Sequence, residues 1–283
     1  MGYNARMISL LVASLLTGPV GTFTSKPFVF ETNTHWIEGP DGVVLIDTQF
    51  LPEVGERAIA AAERATGKKV VLAIVLHANP DKFNGAHALR KREIRVITSE
   101  QVVALVPEVH ALRKKWFFEK YAPDYPAEAP ALEAFGNVSQ PLEVAGLKLG
   151  LHVLGVGCSR AHVAVTYEDH VFVGDMVSNG HHAWTELGLI PEWLDTLARV
   201  GALGAAHVHV GRGPSGGPEL LAAQSSYLRF VWQTVRAERP TGPSTPEVLA
   251  RLRATIEAQY PGYGYGNFVK IGLPAVWERA SGR

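Results

Sequence analysis

The sequence predicts an α/β fold in which helices alternate with buried strands. Residues 70–76 (VVLAIVL) form a continuous apolar run, which is typical of a parallel strand covered on both faces. Residues 52–66 have a Pro-Glu start and an alanine-rich composition, and Gly67 follows them, so this segment predicts a helix. A chain of 283 residues that is 47% hydrophobic can bury a core large enough for one such domain.

The rest of the chain continues this alternation. A strand is expected at 95–98, followed by a helix from Ser99 and a second helix over 107–120 that Pro107 opens. Residues 121–140 are rich in Pro and Ala and predict a long loop. The remaining expected elements are strands at 147–154, 162–167, 171–173 and 206–210, and a helix near 191–200.

A polar loop follows the apolar run at 70–76, and its residue types are those of a metal-binding loop. His77, Asn79 and Asp81 alternate in it before Gly85 and a helix-like segment at 86–91. The carboxyl end of a buried strand is where α/β folds place their chemistry. We therefore expect the functional site at this loop.

This loop resembles the metallo-β-lactamase superfamily, whose signature here is H-x-H-x-D-H, and the resemblance extends over roughly 28–217. It implies a four-layer αββα sandwich with the site at the sheet edges between two β-then-α halves. The other segments that carry the resemblance are a hairpin at 32–48, G-V-G-C-S at 155–159, V-F-V-G-D at 171–175 and V-G-R-G-P at 210–214.

The resemblance implies a metal site in which four of seven ligand positions are substituted. The retained ligands are His77, Asp81 and Asp175. The substituted positions are Asn79, Lys82, Cys158 and Arg212. Charged Lys and Arg side chains have no lone pair for a divalent metal, so the sequence argues against a dinuclear zinc centre.

The two new cations suggest charge compensation. Lys82 and Arg212 stand where they could replace the charge of a missing metal by pairing with Asp81 and Asp175. In the alternative arrangement Lys82 turns outward and Asp81 caps the helix that begins after Asn84.

A second interpretation keeps one metal. His77, Cys158 and Asp175 would offer nitrogen, sulfur and oxygen ligands to at most one zinc ion, with Asn79 orienting a bound water. Alternatively, Cys158 is a small buried hydrophobic residue, or a nucleophile beside Arg212.

Other histidines and an aromatic segment are weaker candidates for site residues. His181 and His182 follow Asp175 by a short loop that is expected to border the pocket, whereas His207 and His209 are expected to be structural. The aromatic tail 260–268 either lines a substrate pocket or packs on its own tyrosines as a surface loop.

Three functions remain open, each with a small molecule as the partner. The first is a hydrolase with at most one metal, acting on an ester, thioester, lactone or amide through His77, Asp81 and Cys158. The second is a non-catalytic descendant that binds a small anion; the ligand-binding candidates are Lys82, Arg212, His181 and His182. The third is a metal-free enzyme that uses Cys158 or the His181–His182 pair.

Charge and cysteine content narrow the range of partners. The chain has 27 basic and 27 acidic residues without a long run of either sign, so nothing favours nucleic acid or an anionic membrane surface. Cys158 is the only cysteine in the sequence, so no intrachain disulfide can form.

We expect residues 1–25 to form a separate apolar segment before a single domain over 26–283 that ends in a helical, aromatic extension. Arg6 followed by the apolar stretch 7–16 resembles a signal peptide over 1–22, which would make the protein periplasmic or secreted. The alternative is a segment packed on the domain of a cytoplasmic protein. The stretch is too short to cross a bilayer.

Overall fold

The computed structural model describes residues 19–282, and the apolar stretch 7–16 lies outside the described residues. The first of its two sheets has six strands in chain order. Strands β1 to β3 pair antiparallel, and β3 to β6 pair parallel. These strands are β1 (Val20–Thr24), β2 (Asn33–Gly39), β3 (Gly42–Ile46), β4 (Val70–Ile74), β5 (Arg95–Thr98) and β6 (Glu133–Ala134).

The second sheet has five strands, in the spatial order β11-β10-β9-β8-β7. Only β10 and β11 pair in parallel, and the other neighbours are antiparallel. Its strands are β7 (Gln140–Val144), β8 (Leu147–Leu154), β9 (His162–Tyr167), β10 (His170–Ser178) and β11 (His207–Arg212).

Helices cover the outer face of each sheet. The first sheet carries α1 (Pro52–Thr66), α2 (Pro80–Phe83), α3 (Ala86–Lys91) and α4 (Glu100–Phe117). The second carries α5 (Ile190–Gly201), α6 (Glu219–Ala237), α7 (Pro246–Gln259) and α8 (Gly266–Ala280). Within residues 19–282, no helix combines the length and apolar character that crossing a membrane requires.

The two sheets face each other across one hydrophobic core. Ile37, Leu45 and Ile74 of the first sheet share this core with Leu149 and Val165 of the second. A second core lies between the other face of the second sheet and its helices, and includes Val173, Trp193 and Leu228. The fold is therefore the four-layer αββα sandwich that the family resemblance implies.

The prediction that a second helix begins at Pro107 is wrong, because α4 is one continuous helix that contains this proline. The Ser99 side chain accepts a hydrogen bond from the Val102 N–H and caps the helix start. Proline removes one helical hydrogen bond, but the buried side chains of Val106 and His110 continue the packed face across it. Tertiary packing outweighs the local signal here.

The two ends of the first sheet also differ from expectation. Strand β1, placed by the sequence in the N-terminal segment, pairs with β2 and belongs to the domain. Strand β6 lies inside the loop expected at 121–140 and pairs with β5.

Gly85 fixes the loop after β4 to the loop after β3. Its N–H donates to the Gln49 carbonyl at 2.9 Å, and the Thr48 N–H donates to the Lys82 carbonyl at 2.8 Å. A Cβ atom on residue 85 would lie 1.6 Å from the Thr48 carbonyl oxygen. Only glycine permits this approach, so residue 85 sets the position of the polar loop 77–85.

Gly85→Ala should therefore lower the free energy of unfolding by about 1 to 3 kcal/mol or more, since the added methyl group must push two loops apart. Urea denaturation measures the change. Gly242→Ala is the matched control, because a Cβ atom there meets nothing within 4 Å. Equal stabilities of the two variants would contradict the conclusion that Gly85 holds the two loops together.

Candidate functional site

Polar side chains from both sheets meet at one end of the sandwich. The loop after β4 brings His77, Asp81 and Lys82, and it is clamped by the contacts of Gly85. Strand β10 carries Asp175 at its centre, and Arg212 is the last residue of β11. All five side chains are buried.

Lys82 lies inside a cage of carboxylates. Its Nζ is 2.8 Å from Asp175 Oδ1, 3.3 Å from Asp81 Oδ2 and 4.0 Å from Asp47 Oδ2. Its side chain has no solvent exposure. The alternative arrangement, with Lys82 outward and Asp81 as the cap of the helix after Asn84, is wrong: Lys82 is buried, and that helix, α3, has Gly85 at its N-cap and no side-chain cap.

Arg212 joins the same carboxylates from the other sheet. Its Nη2 is 2.5 Å from Asp81 Oδ2, and its Nη1 donates to Asp175 Oδ2. Its Nε donates to the Phe30 carbonyl at 3.0 Å. We call Asp47, Asp81, Lys82, Asp175 and Arg212 the ion network.

The cations keep two of the carboxylates ionised. Burial alone would raise the pKa of Asp175, but Arg212 and Lys82 outweigh it, so this pKa lies well below its ordinary value. Burial and the same two cations act on Asp81, with Lys82 the stronger, and lower its pKa as well. Burial raises the pKa of Asp47 to about 6, although Lys82 opposes it. Burial also opposes the charge of Lys82, but Asp175 and Asp81 raise its pKa above the ordinary value.

Backbone and hydroxyl contacts hold the carboxylates in place. Asp47 Oδ1 accepts the Leu76 N–H at 2.8 Å, and Asp81 Oδ2 accepts the Thr32 hydroxyl at 3.1 Å. Gly211 leaves room for Asp175, since a Cβ atom on residue 211 would lie 1.7 Å from Asp175 Oδ1. Contacts with the surrounding backbone and with the Thr32 hydroxyl thus fix the positions of the carboxylates in the ion network.

A second group of potential metal ligands lies beside the ion network. Cys158 Sγ is 3.8 Å from His77 Nε2 and 3.7 Å from His162 Nε2. The rings of His77 and His162 stack with centroids 4.5 Å apart. Ligand atoms of these three residues all lie within 4.8 Å of one another.

The composition of this group differs from the expected set of His77, Cys158 and Asp175. Asp175 Oδ2 is 3.7 Å from His77 Nε2, but both oxygens of this carboxylate already contact cations. His162 takes the third place instead. Sequence reasoning missed His162, and the only signal was its position four residues after Cys158 at the start of a strand.

The protonation of this group is set mainly by burial. Burial, with Asp175 and Asp81 adding to it, raises the pKa of the Cys158 thiol well above its ordinary value. Burial lowers the pKa of His162 well below its ordinary value. Its Nε2 accepts the Ser159 N–H at 3.1 Å, as a neutral imidazole can. Burial therefore favours the protonated thiol beside a neutral His162.

A narrow pocket with a cavity volume of about 40 Å³ opens beside the ion network. Its polar lining residues are Asn79, Asp81, Arg113, Asp175 and Arg212, and Pro80 also lines it. Its aromatic walls are Phe30, Phe50, Phe117, Trp184 and Phe268. Neither Lys82 nor Cys158 is among the lining residues.

The histidines expected to border the pocket lie outside its lining. His181 Nδ1 is 2.9 Å from the Asn179 carbonyl, and its Nε2 is 3.7 Å from Glu31. His182 Nδ1 is 3.0 Å from the Tyr227 hydroxyl. In the aromatic tail, only Phe268 lines the pocket.

Arg113 is a pocket residue that sequence reasoning missed. It pairs with Glu186 through both nitrogens of its guanidinium fork and lies over the Trp184 ring at 5.1 Å. A sequence signal existed, because Arg113 and Phe117 are four residues apart and therefore share one face of α4.

Comparison with known proteins identifies the family. The family model described as "Metallo-beta-lactamase superfamily" matches residues 27–214. The chain belongs to this superfamily. No curated protein matches it.

Solved structures of this superfamily share the fold. A metallo-β-lactamase from Pontibacter korlensis has a TM-score of 0.60 at 20% identity, over 76% of this chain and 96% of that one. DIM-1 metallo-β-lactamase has a TM-score of 0.59 at 18% identity, with 76% and 95% covered. The mono-zinc form of FIM-1 from Pseudomonas aeruginosa has a TM-score of 0.55 at 18% identity, with 75% and 89% covered.

The two-metal centre implied by this superfamily does not fit these residues. The second metal position would lie among Asp81, Asp175 and the residues at 82 and 212. Lys82 and Arg212 fill this space, and neither side chain offers a lone pair when charged. Since a metal ion there would also face two fixed positive charges, the arrangement opposes dinuclear binding.

Arg212→Ala should cost about 3 to 5 kcal/mol of unfolding free energy, because it leaves buried carboxylates short of one cation. Arg95→Ala is the control, since the Arg95–Glu133 pair is solvent-exposed and should contribute only about 0 to 1 kcal/mol. Chemical denaturation of both variants measures the difference. A nearly neutral Arg212→Ala would show that the network does not hold the two sheets together.

Proposed function

We propose that this superfamily member binds a small carbonyl compound in its aromatic pocket and does not use two-metal hydrolysis. The observation that carries the proposal is the fully buried Lys82 ammonium, 2.8 Å from Asp175 and 3.3 Å from Asp81. This cation stands where the resemblance places a metal ligand. The pocket above it is lined by groups that suit a small organic molecule.

The ion network supports binding rather than metal chemistry. Lys82 and Arg212 together bring two positive charges to Asp81 and Asp175, which is the charge of one divalent ion. These cations neutralise the carboxylates, and a metal ion at this position would have to displace them before it could activate a water. The floor of the pocket is therefore polar and fixed.

The free donors on this floor favour a carbonyl oxygen. Arg212 has five N–H groups, of which three donate to Asp81, Asp175 and the Phe30 carbonyl. The other two, together with the amide of Asn79, can donate to an acceptor in the pocket. An ester, thioester, lactone or amide offers such an oxygen.

The walls and charges of the pocket define the rest of the ligand. Five aromatic side chains favour a flat, apolar body that can stack on them. Asp81 and Asp175 also line the pocket, so an anion would have to compete with them for Arg212. A neutral carbonyl compound is favoured over the anionic ligand expected from the sequence.

A second candidate function is hydrolysis of the same compounds at a single metal. The grouping of His77, Cys158 and His162 within 4.8 Å supports it, because nitrogen and sulfur are ligands that zinc accepts. A bound metal would polarise the carbonyl of a compound in the pocket. Cys158 as a free nucleophile has less support, because burial raises the pKa of its thiol well above the ordinary value and Cys158 does not line the pocket.

Metal content tests the first half of the proposal. The untagged parent protein should hold no zinc at the ion network, so Asp81→Asn should not lower its zinc content after gel filtration, and Lys82→His with Arg212→His should gain zinc, since both cations then become ligands. Elemental analysis measures both, and the single variant Arg95→His is the control for an added surface histidine. Two equivalents in the parent, one of which is lost in Asp81→Asn, would overturn the proposal.

Ligand-observed NMR on chelator-treated protein tests the second half. Methyl benzoate should bind, benzoate should bind more weakly, and Phe268→Ala should reduce both signals. Phe28→Ala is the control, because Phe28 is 65% exposed and does not line the pocket. Equal binding to both variants would contradict the pocket assignment, and ester hydrolysis that appears only with zinc would favour the single-metal hydrolase.

A further inference from the structure

Three potential metal ligands meet at the surface where β10 and β11 begin, at the opposite end of these strands from the ion network. Asp169 Oδ1 is 3.6 Å from His170 Nε2, and Asp169 Oδ2 is 3.5 Å from His207 Nε2. The two imidazole rings stack with centroids 4.6 Å apart and an angle of 24° between their planes. Ligand atoms of all three residues lie within 4.8 Å of one another.

The backbone brings these residues together. Strands β10 and β11 are parallel, and His170 pairs directly with His207 in their register. The carbonyl of Asp169 accepts the N–H groups of Ala206 at 2.8 Å and His207 at 3.0 Å. These hydrogen bonds fix the turn before β10 to the start of β11. The backbone therefore sets the positions of the three ligand residues.

The buried side chain of His209 contacts the second ring nitrogen of His170. His170 Nδ1 is 2.9 Å from His209 Nε2, and the His209 ring stacks on Phe172 with centroids 4.4 Å apart. An imidazole that binds a metal through Nε2 carries its proton on Nδ1 and donates it to a neighbouring acceptor. His209 Nε2 lies at the position of this acceptor, so Nδ1 of His170 has a hydrogen-bond partner that leaves Nε2 free to bind a metal.

We propose that Asp169, His170 and His207 bind one divalent transition-metal ion, with Zn²⁺ as the reference ion. Two imidazole nitrogens and a carboxylate oxygen are a donor set of this class, whereas Ca²⁺ and Mg²⁺ require mainly oxygen ligands. The side chains of Asp169 and His207 are 58% and 55% exposed, so the ion can enter from solvent and complete its coordination with water.

The bound ion would link the β9–β10 turn to the edge strand of the second sheet. Strand β11 stands at the edge of the second sheet's strand order, and its other end delivers Arg212 to the ion network. An ion held by both strands ties their starts together. Since the unfolded chain does not hold these ligands in place, binding should raise the melting temperature.

Zinc titration of the untagged, full-length protein tests this site. All measurements are made on the Cys158→Ala variant, called the background variant, because this change removes one ligand from the competing buried group of His77, Cys158 and His162. This variant should bind one equivalent of Zn²⁺ in equilibrium dialysis and melt at a higher temperature with Zn²⁺ than without. Adding His207→Asn or the isosteric Asp169→Asn should weaken binding by at least about tenfold and abolish the shift in melting temperature.

The matched control adds His152→Asn, which removes a histidine of β8 in the same sheet and should leave zinc binding unchanged. Addition of Ca²⁺ to the background variant should not shift its melting temperature. The proposal is overturned if the background binds no zinc, or if it binds zinc equally well with and without His207.

Discussion

A buried ammonium group can remain charged only if carboxylates surround it, and Lys82 meets this condition through Asp175 and Asp81. The loop that carries Lys82 leaves the first sheet, whereas Asp175 lies on the second. The contact therefore joins the two halves of the sandwich at the end where the superfamily has its site. Other features of this end follow from the need to place these charges correctly.

The surrounding structure is adapted to this constraint. Glycine at positions 85 and 211 allows the backbone to come close to Thr48 and to Asp175. Arg212 supplies the second cation from β11 and also reaches into the pocket. The charge balance that a metal would provide thus comes from side chains, and the pocket above it retains a polar floor and aromatic walls.

The sequence predicts the order of strands and helices well, because apolar runs, Pro-Glu starts and glycine ends are local signals. It predicts Pro107 wrongly because burial of one helix face outweighs one lost hydrogen bond. The charged partners could be inferred because the resemblance relates positions far apart in the chain. His162 and the wall residues Phe30, Trp184 and Phe268 could not, since their proximity arises only when loops from both sheets meet.

The most direct test of charge replacement is diffraction from crystals grown with zinc, with data collected at the zinc absorption edge. If the two cations replace the metal, Lys82 Nζ lies between Asp81 and Asp175, and no anomalous peak appears at the bonding distance of about 2.0 to 2.2 Å from either carboxylate. A zinc peak bonded to both carboxylates, with Lys82 displaced from them, would contradict charge replacement.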